Sequence, residues 1–308
     1  MVLPAWQQPD AYDDGGAPRA DERRADDAVD AGAVRRQPMG VVFWISVGWL
    51  SLITLAAILA PVLPIRPPDA IDPFRQLAAP FHGGYLLGSD NLGRDVLSRL
   101  IYGARVSLIV GVASMVIGLG IGASLGLIAG FIRGRPEAVI MWAVDVVLSF
   151  PALVLLISVV AFAGTSLTTI SLVLGFLSIP VYARITRAHT LTVGKREFIT
   201  AARAIGVPTR RIIWHEVVPN VLPQVLSYGL IAVGVVIVVE GSLSFLGLSV
   251  SAPTPSWGGI IASGQEFLSQ DPSLVLVPAA VMCLTVLALN LAGDTLRRRY
   301  EAAGRSTL

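Results

Sequence analysis

Six long apolar runs leave this 308-residue chain few ways to fold. They cover approximately Val41–Leu63, Val106–Ile132, Ala138–Ala163, Leu167–Ala188, Val221–Leu248 and Ser273–Leu296. A helix rises ~1.5 Å per residue, so about twenty apolar residues cross a hydrocarbon core of ~30 Å. Several runs are longer, which predicts tilt or extension beyond the core. Pro151 predicts a kink in the third run, and Pro180 lies inside the fourth. The expectation is an all-α polytopic membrane protein with six transmembrane helices.

Composition agrees and excludes other classes. The chain is 54% hydrophobic and only 14% charged, far from a soluble domain. Its net charge of +2 gives no basic field of the kind that attracts nucleic acid. The single cysteine, Cys283, lies in an apolar run and has no companion for a disulfide or a metal site. No His-Glu-x-x-His run, phosphate loop or nucleophile motif occurs, so no catalytic residue and no metal ligand is assigned.

Three regions follow. Residues 1–38 are rich in Asp, Ala, Arg, Pro and Gly without apolar periodicity, and read as a disordered or loosely ordered cytoplasmic tail. They do not read as a signal peptide, which needs an apolar core close behind a short basic end. Residues 39–300 form the membrane domain, and 301–308 a second cytoplasmic tail. Basic residues set the orientation. With the N-terminus inside, every basic residue except Arg66, Arg75, Arg94, Arg99 and Arg105 falls on the cytoplasmic side, or N-in and C-in.

Small residues mark the second run. Ser114, Gly118, Gly122, Gly126 and Gly130 recur every four residues on one helical face, which lets another helix approach closely. Gly118-Leu-Gly120-Ile-Gly122 is not a nucleotide fingerprint, because the full Gly-x-Gly-x-x-Gly spacing is missing and no strand precedes it.

Between the fourth and fifth runs lies a polar, basic stretch, Glu197–Asn220. Its first half has helical periodicity. Gly206 stands where a helix stop is expected, and Pro208 cannot continue the helix. Thr209 is expected to cap a second short helix carrying Arg210 and Arg211, and Pro219 sits at the entry to the next run. The local reading is a helix-turn-helix outside the bilayer.

Ala201, Ala202, Gly206 and Pro219 resemble the EAA loop of ABC-importer permeases, with Thr200 where that family has Glu. Further stretches are similar to the C-type permease of dipeptide and oligopeptide importers. They are Leu87-Gly-Ser-Asp-Asn-Leu-Gly-Arg-Asp-Val-Leu-Ser-Arg-Leu100, Asp145-Val-Val-Leu-Ser-Phe-Pro151, Glu240-Gly-Ser-Leu-Ser-Phe-Leu-Gly247, Ala252-Pro-Thr-Pro-Ser-Trp-Gly258 and Asn290-Leu-Ala-Gly-Asp-Thr-Leu-Arg297. The resemblance spans residues 87–297 and leaves the tail uncovered.

The resemblance implies a multi-pass protein of the bacterial cytoplasmic membrane that forms half of a translocation path. Its partners would be a second, different permease subunit, two cytoplasmic ABC ATPase domains, an extracytoplasmic substrate-binding protein and membrane lipid. ATP and Mg would be bound by the ATPase partners and no cofactor by this chain. Thr200, Ala201, Ala202, Arg203 and Gly206 would couple to the ATPase through the 197–215 loop. Nickel and glutathione importers share this permease type, so they stand as alternatives.

Ionisable groups inside spans are costly and each needs a reading. Glu240 is either a group facing the translocation path or a structural carboxyl bonded to a neighbouring helix. Asp145 reads as an anchor between elements, and Asp294 as a partner of Arg297. His189 reads as an interfacial flank. Asp95 and Arg99 are spaced to pair at i,i+4. A different class of function, an ion-coupled secondary transporter, would use Glu240 and Asp145 as a relay.

Overall fold

The computed structural model describes residues 39–250 and 252–305; the tail up to residue 38, read above as disordered, lies outside them. The helices are α1 (Val41–Leu59), α2 (Val96–Ile132), α3 (Arg135–Leu148), α4 (Ala152–Ala163), α5 (Leu167–Val193), α6 (Glu197–Ala204), α7 (Thr209–Ile212), α8 (Val218–Phe245), α9 (Trp257–Gly264) and α10 (Ser273–Arg305). A π-helical turn, Ile213–Val217, joins α7 to α8, so Thr209–Phe245 is one rod of 37 residues. At the usual rise that is about 55 Å.

Among the described residues, five helices are long and apolar enough to cross a membrane: α1, α2, α5, the α7–α8 rod and α10. The pair α3–α4 passes the same test together but bends by 78°, so the sixth span is a broken one. The break falls at Pro151, which stands at the N-cap of α4. Proline lacks the N–H that would bond back one turn, and its ring clashes with the carbonyl four residues earlier. Ser149, just before the break, donates its Oγ back to the Asp145 carbonyl at 2.8 Å. Pro180, Pro223 and Pro278 stay inside continuous helices.

Two helices start or end away from the apolar runs. α2 begins ten residues before its run because Asp95 caps it, accepting from the Leu97 N–H at 3.1 Å. Arg99 does not pair with Asp95. Its Nε lies 3.6 Å from Asp90, which also takes the Arg94 Nε at 2.6 Å, and its Nη1 donates to the Pro68 carbonyl. Asp95 is occupied at the helix end, so the folded 60–95 segment supplies Arg99 with a different carboxylate. α10 continues past its run to Arg305.

The tightest seam joins α2 to α5. A Cβ built at Gly118 would stand 2.7 Å from the Ser178 Cβ, at Gly122 2.5 Å from the Ile179 carbonyl, and at Gly126 2.3 Å from the Ala183 carbonyl. No methyl group fits at those distances, so the backbones meet directly. Ser114 extends the same face, donating to the Ser171 carbonyl at 3.1 Å. α8 and α10 pack beside this pair, and α1 lies on α10 and α2, with Trp49 Nε1 donating to Thr285 Oγ1 at 3.1 Å.

Chain direction places α6–α7 and the end of α2 on one face, here the loop face. The 60–95 segment, the start of α2, the end of α8 and α9 gather on the far face.

Candidate coupling surface and buried carboxyl

α6 is a short amphipathic helix that would not persist alone. It is held because Ile199 and, beyond the turn, Ile212 and Val217 are buried with Val193, Tyr182, Val221 and Val225 in one apolar cluster at the base of the spans. Its C-terminus is closed by the backbone. The Gly206 N–H donates to the Arg203 carbonyl at 3.1 Å and the Val207 N–H to the Ala202 carbonyl at 3.0 Å, a Schellman closure. Gly206 has φ of 78°, the left-handed conformation such a stop requires. Ala202 and Val207 pack against the same cluster.

The outer side of this unit is small and open. Thr200, Ala201, Ala204 and Gly206 are exposed, and nothing lies within 4 Å of a Cβ built at Gly206. Ile205 stands out at the tip, 80% exposed, a large apolar side chain that the motif does not mark. Arg203 reaches back, its guanidinium 4.9 Å from the centre of the Phe131 ring at the end of α2. So Thr200, Ala201 and Gly206 face outward, Ala202 is half-buried, and Arg203 tethers the helix to α2.

Thr209 does not cap α7. It is the first residue of the helix, and Pro208 holds the N-cap position without a side-chain bond. The π turn follows from Pro219, which cannot donate to the His215 carbonyl one turn back. The Val218 N–H instead donates to the Ile213 carbonyl, five residues earlier, and Asn220 Nδ2 donates to the Glu216 carbonyl at 2.6 Å.

Glu240, near the far end of the rod, is fully buried. It accepts from Ser249 Oγ at 2.5 Å and Ser107 Oγ at 3.3 Å, with Ser244 Oγ at 3.5 Å. No part of the carboxyl reaches a surface of this chain. Asp145 pairs with Arg184 of α5 at 2.6 Å, with both side chains more than half exposed. Glu137 of α3 pairs with Arg187 of α5, so two ion pairs tie the first half of the broken span to its neighbour. Asp294 pairs with Arg297 at 3.3 Å and with Arg298 at 2.9 Å. His189 lies 6.1 Å from the Tyr228 ring. Among the described residues no cluster of His, Cys, Asp or Glu could hold a metal.

Residues 122–304 match the family described as binding-protein-dependent transport system inner membrane component. The chain belongs to that family. It is 39% identical over 256 residues to a di/tripeptide transport system permease of Pseudomonas aeruginosa, covering 81% of this chain and 84% of that one. It is 36% identical over 211 residues to a glutathione transport system permease of Pectobacterium atrosepticum, covering 68% and 70%. Its fold is similar to a chain of the MetNI methionine ABC transporter in an inward-facing conformation, with a TM-score of 0.56 over 66% of this chain and 96% of that one, at 18% identity. As a family member with five helices and one broken pair able to span, this transport component is a multi-pass protein of the bacterial inner membrane.

Proposed function

We propose that this chain is one membrane subunit of an ATP-driven importer of dipeptides or oligopeptides, forming half of the translocation path. It pairs with a second, different permease, takes energy from two cytoplasmic ATPase domains, and receives substrate from an extracytoplasmic binding protein. The loop face is then cytoplasmic, in keeping with its arginines. ATP and Mg belong to the ATPase partners. The observation that carries this reading is the exposed knob from Thr200 to Gly206. It is closed by backbone bonds at Gly206, seated on a buried cluster, and joined by Val207 and Pro208 to α7, the π turn and a spanning helix. A force on the knob moves α8 as a body, so nucleotide can bias a two-state equilibrium of the spans.

The test is Ala201→Glu in the assembled complex in proteoliposomes. The expected result is insertion and ATP hydrolysis retained, with uptake reduced about tenfold or more, as expected when a centrally buried contact is lost. Wild-type uptake in that variant overturns the docking claim.

The glutathione relative supports a second reading, in which the cargo is glutathione. Identifying the solute carried by the binding protein that co-purifies with the complex separates the two. The ion-coupled transporter gains nothing from the geometry, since Glu240 is sealed among hydroxyls and Asp145 is engaged by Arg184. Ion-driven flux through the purified chain alone would restore it.

A further inference from the structure

Glu240 is an expensive choice for a fully buried position in a span, where a leucine would pack at lower cost. Its surroundings show what an apolar residue could not do. The carboxyl takes hydrogen bonds from two elements besides its own helix: Ser249 in the connection beyond α8, and Ser107 on α2. Ser107 Oγ in turn accepts from the backbone N–H of Trp257, the first residue of α9, at 3.3 Å. Trp257 is itself fully buried, and its Nε1 donates to the Leu100 carbonyl of α2 at 3.0 Å.

The backbones beside this network are in contact. A Cβ built at Gly258 would stand 2.4 Å from the Cα of Gly241, the residue after Glu240. One built at Gly103 would stand 3.3 Å from the Trp257 backbone nitrogen. α9 is therefore pinned to both α8 and α2, and the chain from Trp257 through Ser107 to Glu240 is a directional link among all three. The same helix, α8, continues at its other end through the π turn into the loop that carries Thr200–Gly206.

We propose that Glu240 is a positioning residue that joins the coupling loop to the far face. Through Ser249, Ser107 and Trp257 it makes Ser249 and α9 move with α8, so that displacement of the loop reaches the surface facing the binding protein. Loading of the binding protein is felt at the loop by the same link in reverse, because coupling between two sites is reciprocal. The inference rests on the importer reading given above.

The experiment uses the complete complex, both permeases with ATPases and binding protein, in proteoliposomes with Glu240→Ala, Glu240→Gln and Ser249→Ala. ATP hydrolysis is measured with and without peptide-loaded binding protein, alongside uptake. Glu240→Ala is expected to lower the stimulation by loaded binding protein about tenfold, in the range of ordinary coupling energies. Unstimulated hydrolysis stays within about twofold, because surface chemistry at the loop end is untouched. Glu240→Gln keeps one of the two acceptor oxygens, enough for the Ser249 bond, and the volume, and regains most of the stimulation. Ser249→Ala removes one donor and costs about threefold.

Wild-type stimulation in Glu240→Ala overturns the proposal. So does parallel loss of assembly, unstimulated hydrolysis and stimulation in Glu240→Ala and Ser249→Ala, which would make the group a structural one only. If the wild-type complex shows no ATP-driven uptake, the importer reading itself fails and the joint falls with it.

Discussion

The two ends of the rod Thr209–Phe245 are built from opposite materials. At the loop end the neighbouring surface is exposed, small and shaped by backbone hydrogen bonds, with open space where a side chain at Gly206 would stand. At the far end everything is enclosed, with Glu240 and Trp257 fully buried and Gly241 against Gly258. The first end is finished only when something else covers it. The second is finished within the chain. A lever needs that asymmetry, one free end and one clamped end. Substitutions should accordingly lose their effect on stability, and keep their effect on transport, as they move from the clamp to the loop.

The largest stability loss is expected for Gly258→Leu. Its Cβ would lie 2.4 Å from the Gly241 Cα and 2.7 Å from Ser244 Oγ, and backbone cannot yield as a side-chain tip can. Overpacking of this kind costs about 3 kcal/mol. Thermal unfolding of the purified protein in detergent should show a clear drop in midpoint. An unchanged midpoint would mean the clamp is loose.

Gly206→Ala should cost less, about 1–2 kcal/mol, because the added methyl meets no atom and only the left-handed backbone resists it. The loss is local, so it should appear as faster hydrogen exchange across residues 197–207 with a smaller change in global midpoint. Equal global destabilisation by both glycine variants would erase the distinction between the ends.

Much of this was legible from the chain. The apolar runs mark the spans, the four-residue glycine spacing marks the face of α2 that meets α5, and Gly206 with Pro208 marks the stop of α6. All three are local patterns whose physics acts within a turn or two. The helix through Asp95 and Arg99 is legible from their i,i+4 spacing, but the carboxylate that Arg99 takes is not. Asp95 caps the helix, and Asp90 reaches Arg99 from a folded segment. Pro151 announced a break but not a bend of 78°. The hydroxyl shell of Glu240 was hidden because Ser107 lies 133 residues away and meets it only through tertiary packing. Ile205 is not marked by the sequence, because one apolar residue beside a helix stop has no periodicity to reveal it.

Ile205 makes the sharpest probe of the comparison because its stability effect should be the smallest. Its side chain is 80% exposed, so Ile205→Ser removes almost no buried area, and surface changes of this sort stay within about 0.5 kcal/mol. An exposed isoleucine at the tip of a rigid knob is nonetheless what a partner's groove would cover, and a few well-packed residues carry most of the affinity of an interface. The variant should therefore unfold at the wild-type midpoint while the ATPase subunits wash off the immobilised complex faster and uptake falls. If the ATPases stay bound and uptake is normal, the tip is not part of the contact, and docking must rest on the Thr200–Ala201 side of α6 alone.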